Sequence, residues 1–167
     1  MGLDQYLYEK TYVGEEFNHI EADLTIKLTH NGKDVYIPRP VSYIISQMHY
    51  WRKANQIQDW VNDKALEYGE GVQNGVDVNL SERDLIELED ICVKVLEREV
   101  IRNENDIEVS KAKNNAEDLL PTSHGFFFGS DEYDEYYYTV VGATLEMLQG
   151  LKLKADGTRS FIYNADW

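Results

Sequence analysis

The stretch IEADLTIKLTHNGKDVYI, residues 20–37, decides the fold class. Apolar residues occupy every second position from 20 to 28, the pattern of a strand with one buried and one solvated face. Asn31 and Gly32 then provide the two positive φ angles of a type I′ turn, so residues 34–37 are predicted to return as the second strand of a β-hairpin. Pro38 and Pro40 end the hairpin, because proline cannot donate to a strand ladder.

The segments around this hairpin predict two more strands and two helices. Residues 3–13 (LDQYLYEKTYV) alternate in part, which indicates a strand with one wet face. Between residues 41 and 68 the apolar period changes from two to about 3.6, which predicts a long amphipathic helix. A short strand is predicted at residues 76–80. Ser81 and Asp84 then form a capping box for a second helix, which is expected to pack until about Val100.

The C-terminal third predicts a third helix and a second hairpin. Tyr133, Tyr137 and Val140 begin a stripe at helical spacing, with Ser130 as the predicted N-cap. Residues 151–163 are interpreted as a hairpin that turns at Asp156-Gly157. Residues 102–115 are polar and poorly periodic, which is typical of a mobile connection or a short exposed helix. The prediction is one α+β domain over residues 1–167, in which an antiparallel sheet built from hairpins packs against about three amphipathic helices.

Composition excludes several classes of function. The 167-residue chain carries a net charge of −15, from 31 acidic and 16 basic residues, so a nucleic-acid backbone is not an expected partner. The single cysteine, Cys92, lies within an apolar helical pattern and is predicted to be a buried, inert thiol. Without a disulfide framework, signal peptide or long apolar run, the protein is expected in the cytoplasm, with no membrane partner.

No residue pattern directs an enzymatic mechanism. His19, His30, His49 and His124 lack metal-ligand spacing, and the acids of DEYDE (residues 131–135) do not follow the pattern of a calcium-binding loop. The chain contains neither a phosphate-binding P-loop nor a GxSxG nucleophile elbow. The prediction is a non-enzymatic protein with no catalytic residue, bound metal or cofactor.

Two regions concentrate the residue types that bind small molecules. On the predicted long helix, Trp51, Arg52 and Asn55 would project to one side beside Lys53, where stacking, phosphate pairing and hydrogen bonding to a base edge are all available. The second region, residues 124–138, would form a stacking wall with hydrogen-bond acceptors at its edge. Its predicted ligand-binding residues are Phe127, Ser130, Tyr133, Asp134 and Tyr137.

The same residues also fit a purely structural interpretation. Trp51 and the tyrosine face would then be core, and Arg52 would pair with Asp134 or Glu135 between two helices. Asp131 and Glu132 would occupy the first turn of the third helix, where they complement the helix dipole and disfavour a bound phosphate. The sequence alone leaves both interpretations open.

Three motifs resemble a family of small uncharacterised proteins encoded by phages, prophages and some bacteria. They are MGLDQYLY (residues 1–8), YWRKANQIQDW (50–60) and LLPTSHGFFFGSDEYDEYYY (119–138), and a helix similar to LEDICVKVLE (88–97) precedes the last. The resemblance covers about half of the chain. This sequence has Gln58 where the family has histidine and Tyr136 where it has tryptophan, and both predicted hairpins look like additions.

The resemblance implies a phage-type accessory protein that counters host defence, and it transfers no activity. Two hypotheses follow. In the first, which the grouping of Trp51, Arg52 and Asn55 favours, the two regions form a pocket that sequesters a small nucleotide-like signal. In the second, the protein is an acidic inhibitor or decoy that docks on a basic host protein through its carboxylates, with tyrosines as contact area. Whether the chain forms a homo-oligomer is left open.

Overall fold

A computed structural model describes residues 2–12, 28–36, 42–97, 100–102, 108–125, 128–154 and 159–167. Its elements are β1 (Asp4–Tyr12), β2 (Thr29–His30), β3 (Lys33–Asp34), β4 (Tyr43–Arg52), α1 (Asn55–Glu67), β5 (Val78–Ser81), α2 (Glu82–Leu96), β6 (Val100–Arg102), β7 (Glu108–Ser110), α3 (Lys111–Leu119), α4 (Glu135–Leu151) and β8 (Ser160–Asp166). In addition to a central sheet, β2 pairs with β3 and β6 pairs with β7.

The central sheet has four antiparallel strands in the order β4-β1-β8-β5. The N-terminal strand β1 lies inside the sheet, between β4 and the C-terminal strand β8. Its alternation decides which face is buried, because Leu3, Gln5 and Leu7 point into the core while Asp4 and Tyr6 point outward. The strands predicted near residues 3–13 and 76–80 are confirmed as β1 and β5.

The helices cover one face of this sheet. Helix α2 packs on α4 and α3, and its buried stripe is that of an amphipathic helix. The apolar core joins this stripe to α4 and to the inward residues of the sheet, and it includes Leu3, Leu7, Leu85, Leu88, Cys92, Val95, Val141, Leu148, Phe161 and Tyr163. Each fully buried large apolar side chain stabilises the fold by about 2 kcal/mol. The predicted α+β class, with helices on an antiparallel sheet, is confirmed.

The long helix predicted over residues 41–68 is wrong in its first half. Residues Tyr43–Arg52 form strand β4, and the helix begins only at Asn55. This segment is rich in isoleucine and aromatic residues, which favour strands, and pairing with β1 along its whole length overrides the weak helical period. Lys53 has a φ of 55°, and this left-handed residue separates the strand from the helix.

The hairpin turn and the second helix start follow the sequence prediction. Asn31 and Gly32 have φ angles of 51° and 74° between β2 and β3, as a type I′ turn requires. Residues 20–27 and both prolines of the predicted hairpin lie outside the described residues. Ser81 and Asp84 form a complete capping box, and α2 ends at Leu96 rather than near Val100.

The C-terminal predictions need three corrections. The N-cap of α4 is Asp134 and not Ser130, so Asp131 and Glu132 precede the helix instead of occupying its first turn. Helix α4 continues to Leu151 and ends at left-handed Lys152, so the predicted strand at residues 151–154 is absent. The return strand exists as β8, but it lies inside the central sheet, and the predicted turn at Asp156-Gly157 lies outside the described residues. Residues 108–115, within the segment interpreted as a mobile connection or short helix, form β7 and the start of α3.

A buried polar network ties the sheet to α1. The side-chain amide of Gln5 donates to the carbonyl of Ala54 (3.0 Å) and accepts from the backbone N–H of Ala54 (2.9 Å). It also donates to the Tyr163 hydroxyl (2.8 Å), which in turn donates to Gln58 (2.6 Å). Gln5 is fully buried, and each polar atom of its side chain has a partner. The network therefore holds the start of α1 against two strands.

The substitution Gln5→Ala should lower the free energy of unfolding by about 2 kcal/mol, because it leaves the backbone N–H of Ala54 buried without its partner, whereas the Ala54 carbonyl still accepts from Ile57 and Gln58. Urea unfolding measures the change. Gln149→Ala is the matched control, since Gln149 is exposed on α4 and its loss should change stability by less than about 0.5 kcal/mol. Equal stability of the two variants would contradict a structural role for the network.

Candidate functional site

The structure brings the two predicted binding regions into contact. The end of β4, the turn at Lys53 and the start of α1 lie against residues 128–137. The approach is close at Gly129, where an added Cβ atom would lie 3.1 Å from the Cβ atom of Lys53, and Gly129 has a φ of 91°. Only glycine satisfies both demands without strain.

Asn55 is the link between the two regions. Its side-chain amide donates to the carbonyls of Phe128 (3.2 Å) and Ser130 (2.8 Å), and its oxygen accepts from the backbone N–H of Ser123 (3.4 Å). Only 1% of Asn55 is exposed. Its amide group is therefore engaged with backbone groups, in the place where the pocket hypothesis requires it to face a ligand.

Trp51 belongs to the core. Its indole N–H donates to the hydroxyl of Thr144 on α4 (2.8 Å), and its ring lies 4.6 Å from the ring of His49 and 6.3 Å from that of Tyr163. The Thr144 hydroxyl donates onward to the carbonyl of Val140. This hydrogen bond joins β4 to α4, and Trp51 is a core residue, as the structural interpretation predicted.

Arg52 and Lys53 are exposed, and Arg52 lies on the opposite sheet face from Trp51, because neighbouring strand residues alternate. The predicted shared helical face for Trp51, Arg52 and Asn55 is therefore wrong. Arg52 pairs with Asp4 (2.8 Å) on β1 rather than with Asp134 or Glu135. The Tyr50 hydroxyl also bonds to Asp4 on this outer face.

The two tyrosines of the predicted stacking wall, Tyr133 and Tyr137, pack against the protein itself. Tyr137 is buried, its hydroxyl donates to the carbonyl of Leu120 (2.8 Å), and burial raises its pKa far above the usual value. The Tyr133 ring lies 5.0 Å from that of Tyr137 at an angle of 65°, and its hydroxyl accepts from the backbone N–H of Thr122. Phe127 lies outside the described residues.

The carboxylates of residues 131–135 remain at the surface. We call residues 131–136 the acidic segment. The backbone of Asp131 accepts from Thr122 (2.8 Å), Asp134 accepts from the N–H of Tyr137 (3.0 Å) as the helix cap, and the Tyr136 hydroxyl donates to the carbonyl of Arg52. Ser130 accepts from the backbone N–H of Glu132 (3.1 Å). The segment therefore has a fixed backbone and exposed acidic side chains.

Sequence reasoning missed the residues that hold this arrangement from a distance. Thr122, Ser123 and Thr144 act through contacts between remote segments, and no local pattern marks them. Gln5 did leave a signal, because an amide replaces an apolar residue at a core position between Leu3 and Leu7.

The described residues contain no group of three or more histidine, cysteine or acidic side chains placed to hold a metal ion. No helix among them is long and apolar enough to cross a membrane. Cys92 is fully buried, and burial raises the pKa of its thiol to about 12.

Comparisons with protein-family models, with curated proteins and with solved structures found no match. The resemblance of the three motifs to phage proteins therefore stays a prediction.

The substitution Asn55→Asp should release the segment that Asn55 holds, because a carboxylate cannot donate to the carbonyls of Phe128 and Ser130. We expect faster amide hydrogen exchange across residues 120–137 and a loss of about 2 kcal/mol in stability. Hydrogen-exchange mass spectrometry measures the first effect. Asn79→Asp, which adds the same charge at an exposed position of β5, should leave exchange in this region unchanged. Unchanged exchange in both variants would refute the role assigned to Asn55.

Cys92 should not react with a water-soluble disulfide reagent at about pH 8 while the protein is folded, because its raised pKa and burial leave almost no accessible thiolate. Unfolding in urea should expose it to immediate reaction. An added cysteine at exposed position 79 is the positive control in the folded protein. Reaction of Cys92 at the rate of this control would show that the thiol is accessible.

Proposed function

We propose that this protein is a non-enzymatic accessory protein of phage type, which acts in the host cytoplasm by docking an acidic surface on a basic host protein. The observation that supports this most is the contrast between buried and exposed side chains where the two motifs meet. Trp51, Asn55 and Tyr137 are buried and engaged with the protein itself, whereas the carboxylates beside them face solvent.

The acidic segment is suited to docking because its backbone is preorganised. Hydrogen bonds from Thr122 to Asp131 and from Tyr136 to Arg52 hold it against the preceding chain and β4. Asn55 on α1 holds Ser130, the residue directly before the segment. The backbone that carries Asp131, Glu132 and Glu135 does not have to be ordered by a partner, so backbone ordering would cost little conformational entropy on binding.

Tyr136 adds contact area to these charges. It is 51% exposed, and the bond from its hydroxyl to Arg52 restricts its ring. Tyrosine contributes large contact area at interfaces for a small loss of side-chain entropy. The net charge of −15 supplies a long-range field that would accelerate encounter with a basic surface.

Sequestration of a nucleotide-like signal is the second candidate, and the exposure of Arg52 and Lys53 is the observation that favours it. It ranks lower because a stacked base would have to displace Trp51 or Tyr137 from the core. The nearby acidic segment would also repel the phosphates of such a ligand.

The test neutralises the acidic segment. Asp131→Asn, Glu132→Gln and Glu135→Gln together should weaken binding to a basic partner recovered from host extract by about tenfold, since each partly exposed charge pair contributes a fraction of a kcal/mol. Binding of the unaltered protein should fall steeply with added salt, because exposed charges are screened beyond about 8 Å at physiological ionic strength. Surface plasmon resonance measures both effects.

The matched control is Asp63→Asn, Glu70→Gln and Asp90→Asn, which removes the same charge from other exposed positions and should change affinity far less. Salt-insensitive binding, or equal loss in both variants, would contradict docking through the acidic segment. Native mass spectrometry of the purified protein decides the second candidate. A released nucleotide that is missing from Arg52→Ala would favour sequestration.

A further inference from the structure

Strand β4 is the terminal strand of the described sheet, and its sequence is unusual for this chain. Residues 43–51 (YIISQMHYW) contain no acidic or basic side chain apart from His49, although charged residues make up 28% of the whole sequence. Burial lowers the pKa of His49, which favours its neutral form. A long uncharged edge is therefore present in a strongly acidic protein.

The first half of β4 also exposes apolar surface. Tyr43 is 49% exposed, Ile44 is 37% exposed and Ile45 is 56% exposed. The register irregularity in the pairing with β1 falls between the partners Leu7 and Tyr8, beyond residues 43–47, so these residues form a regular strand. An edge of this kind is a template for another strand, and proteins ordinarily protect such edges with charge, proline or a bulge.

The opposite edge of the sheet is protected in the ordinary way. Strand β5 spans only Val78–Ser81, and the acidic residues Asp77 and Asp166 lie close to its start. Only the β4 edge thus combines length, exposed apolar side chains and absence of charge in the described sheet.

We infer that β4 pairs antiparallel with β4 of a second copy of this chain about a two-fold axis, which joins two four-stranded sheets into one of eight strands. Identical strands match in length and exposed surface, and antiparallel pairing makes the contact self-complementary. Two chains that each carry a net charge of −15 repel each other over most of their surfaces. Along residues 43–51 no like charges come to lie opposite one another, so the repulsion is smallest there.

The positive charge of Lys10, next to the exposed part of β4, also favours contact with a second copy of this acidic chain. Lys10 on β1 lies opposite Ile45 in the register, and its amine sits 4.2 Å from the centre of the Tyr43 ring. The charge beside the exposed segment is thus positive, which reduces the local negative potential where two acidic chains would meet. A foreign basic protein would instead be drawn to the carboxylates elsewhere on the surface.

Self-association at β4 is independent of the proposed docking function, and salt separates the two. Added salt screens the repulsion between two acidic copies and should strengthen the dimer, whereas it weakens binding to a basic partner. Failure of one proposal therefore leaves the other intact.

The first experiment is sedimentation velocity over about a hundredfold range of protein concentration, at low and high salt, because a dimer responds to concentration by mass action. The unaltered protein should shift from monomer toward dimer with concentration, and more readily at high salt. Ile45→Lys should remain monomeric, because it places two like charges near the axis. Asn79→Lys, which adds the same charge on exposed β5, should dimerise like the unaltered protein.

Cysteine cross-linking tests the geometry directly. Cys92 is buried, so a cysteine introduced at an exposed position is the accessible thiol among the described residues. One of Ile45→Cys and Gln47→Cys should form a disulfide-linked dimer in a glutathione buffer, because the residue on the two-fold axis lies opposite its own copy. Asn79→Cys should stay monomeric. Circular dichroism verifies that each variant is folded.

A monomer at every concentration and salt, or a dimer that Ile45→Lys leaves unchanged, would overturn the proposal. So would cross-linking at position 79 that equals cross-linking at positions 45 and 47. If Ile45→Lys fails to fold, the cysteine variants decide, since each carries a smaller uncharged change at an exposed position.

Discussion

The arrangement of this protein depends on the exchange of two hydrogen bonds between the side chain of Gln5 and the backbone of Ala54. At Ala54 the chain changes from strand to helix; its carbonyl also accepts from the N–H groups of Ile57 and Gln58, whereas its own N–H is a helix-terminus donor that Gln5 satisfies. The amide of Gln5 takes the place of a missing strand partner. The backbone N–H of Lys53 also bonds to Leu3 (2.7 Å), so β1 fixes the position at which β4 stops and α1 starts.

This fixed junction determines what the neighbouring motif residues can do. Asn55 is directed beneath residues 128–130, Trp51 is directed into the core, and the backbone of Arg52 receives the Tyr136 hydroxyl. The polar groups of Trp51, Asn55 and Tyr137 that were assigned to a ligand are therefore paired within the protein. A buried polar group without a hydrogen-bond partner lowers the stability of the fold, so these groups need partners within the protein. The side chains that a partner could reach are the exposed acids and Tyr136 of the acidic segment, whose backbone is fixed by hydrogen bonds.

Local patterns predicted the parts of this fold that local physics determines. The Asn31-Gly32 turn, the Ser81 capping box, the alternation of β1 and the stripe of α2 each follow from residues close in sequence. The strand β4 could not be predicted in this way, because its apolar spacing also fits a helix and only pairing with β1, some forty residues away, selects the strand. Whether the two motifs meet could not be predicted from the sequence; in the structure they do, since Asn55 contacts the segment at residues 128–130. Its inward direction could not be predicted, because it depends on contacts with Thr144, Leu120 and Ser123.

In the two proposals, the two ends of β4 would serve different contacts. The C-terminal end leads to the acidic segment, where the electrostatic field would favour a basic partner and oppose another copy of this chain. The N-terminal end has exposed isoleucine and tyrosine and no charge, so a copy would meet little repulsion there and a basic protein little attraction. Foreign and self contacts would therefore not compete for one surface. An acidic protein with a charged β4 would gain solubility and lose this separation, which gives a physical reason for a neutral strand in a chain of net charge −15.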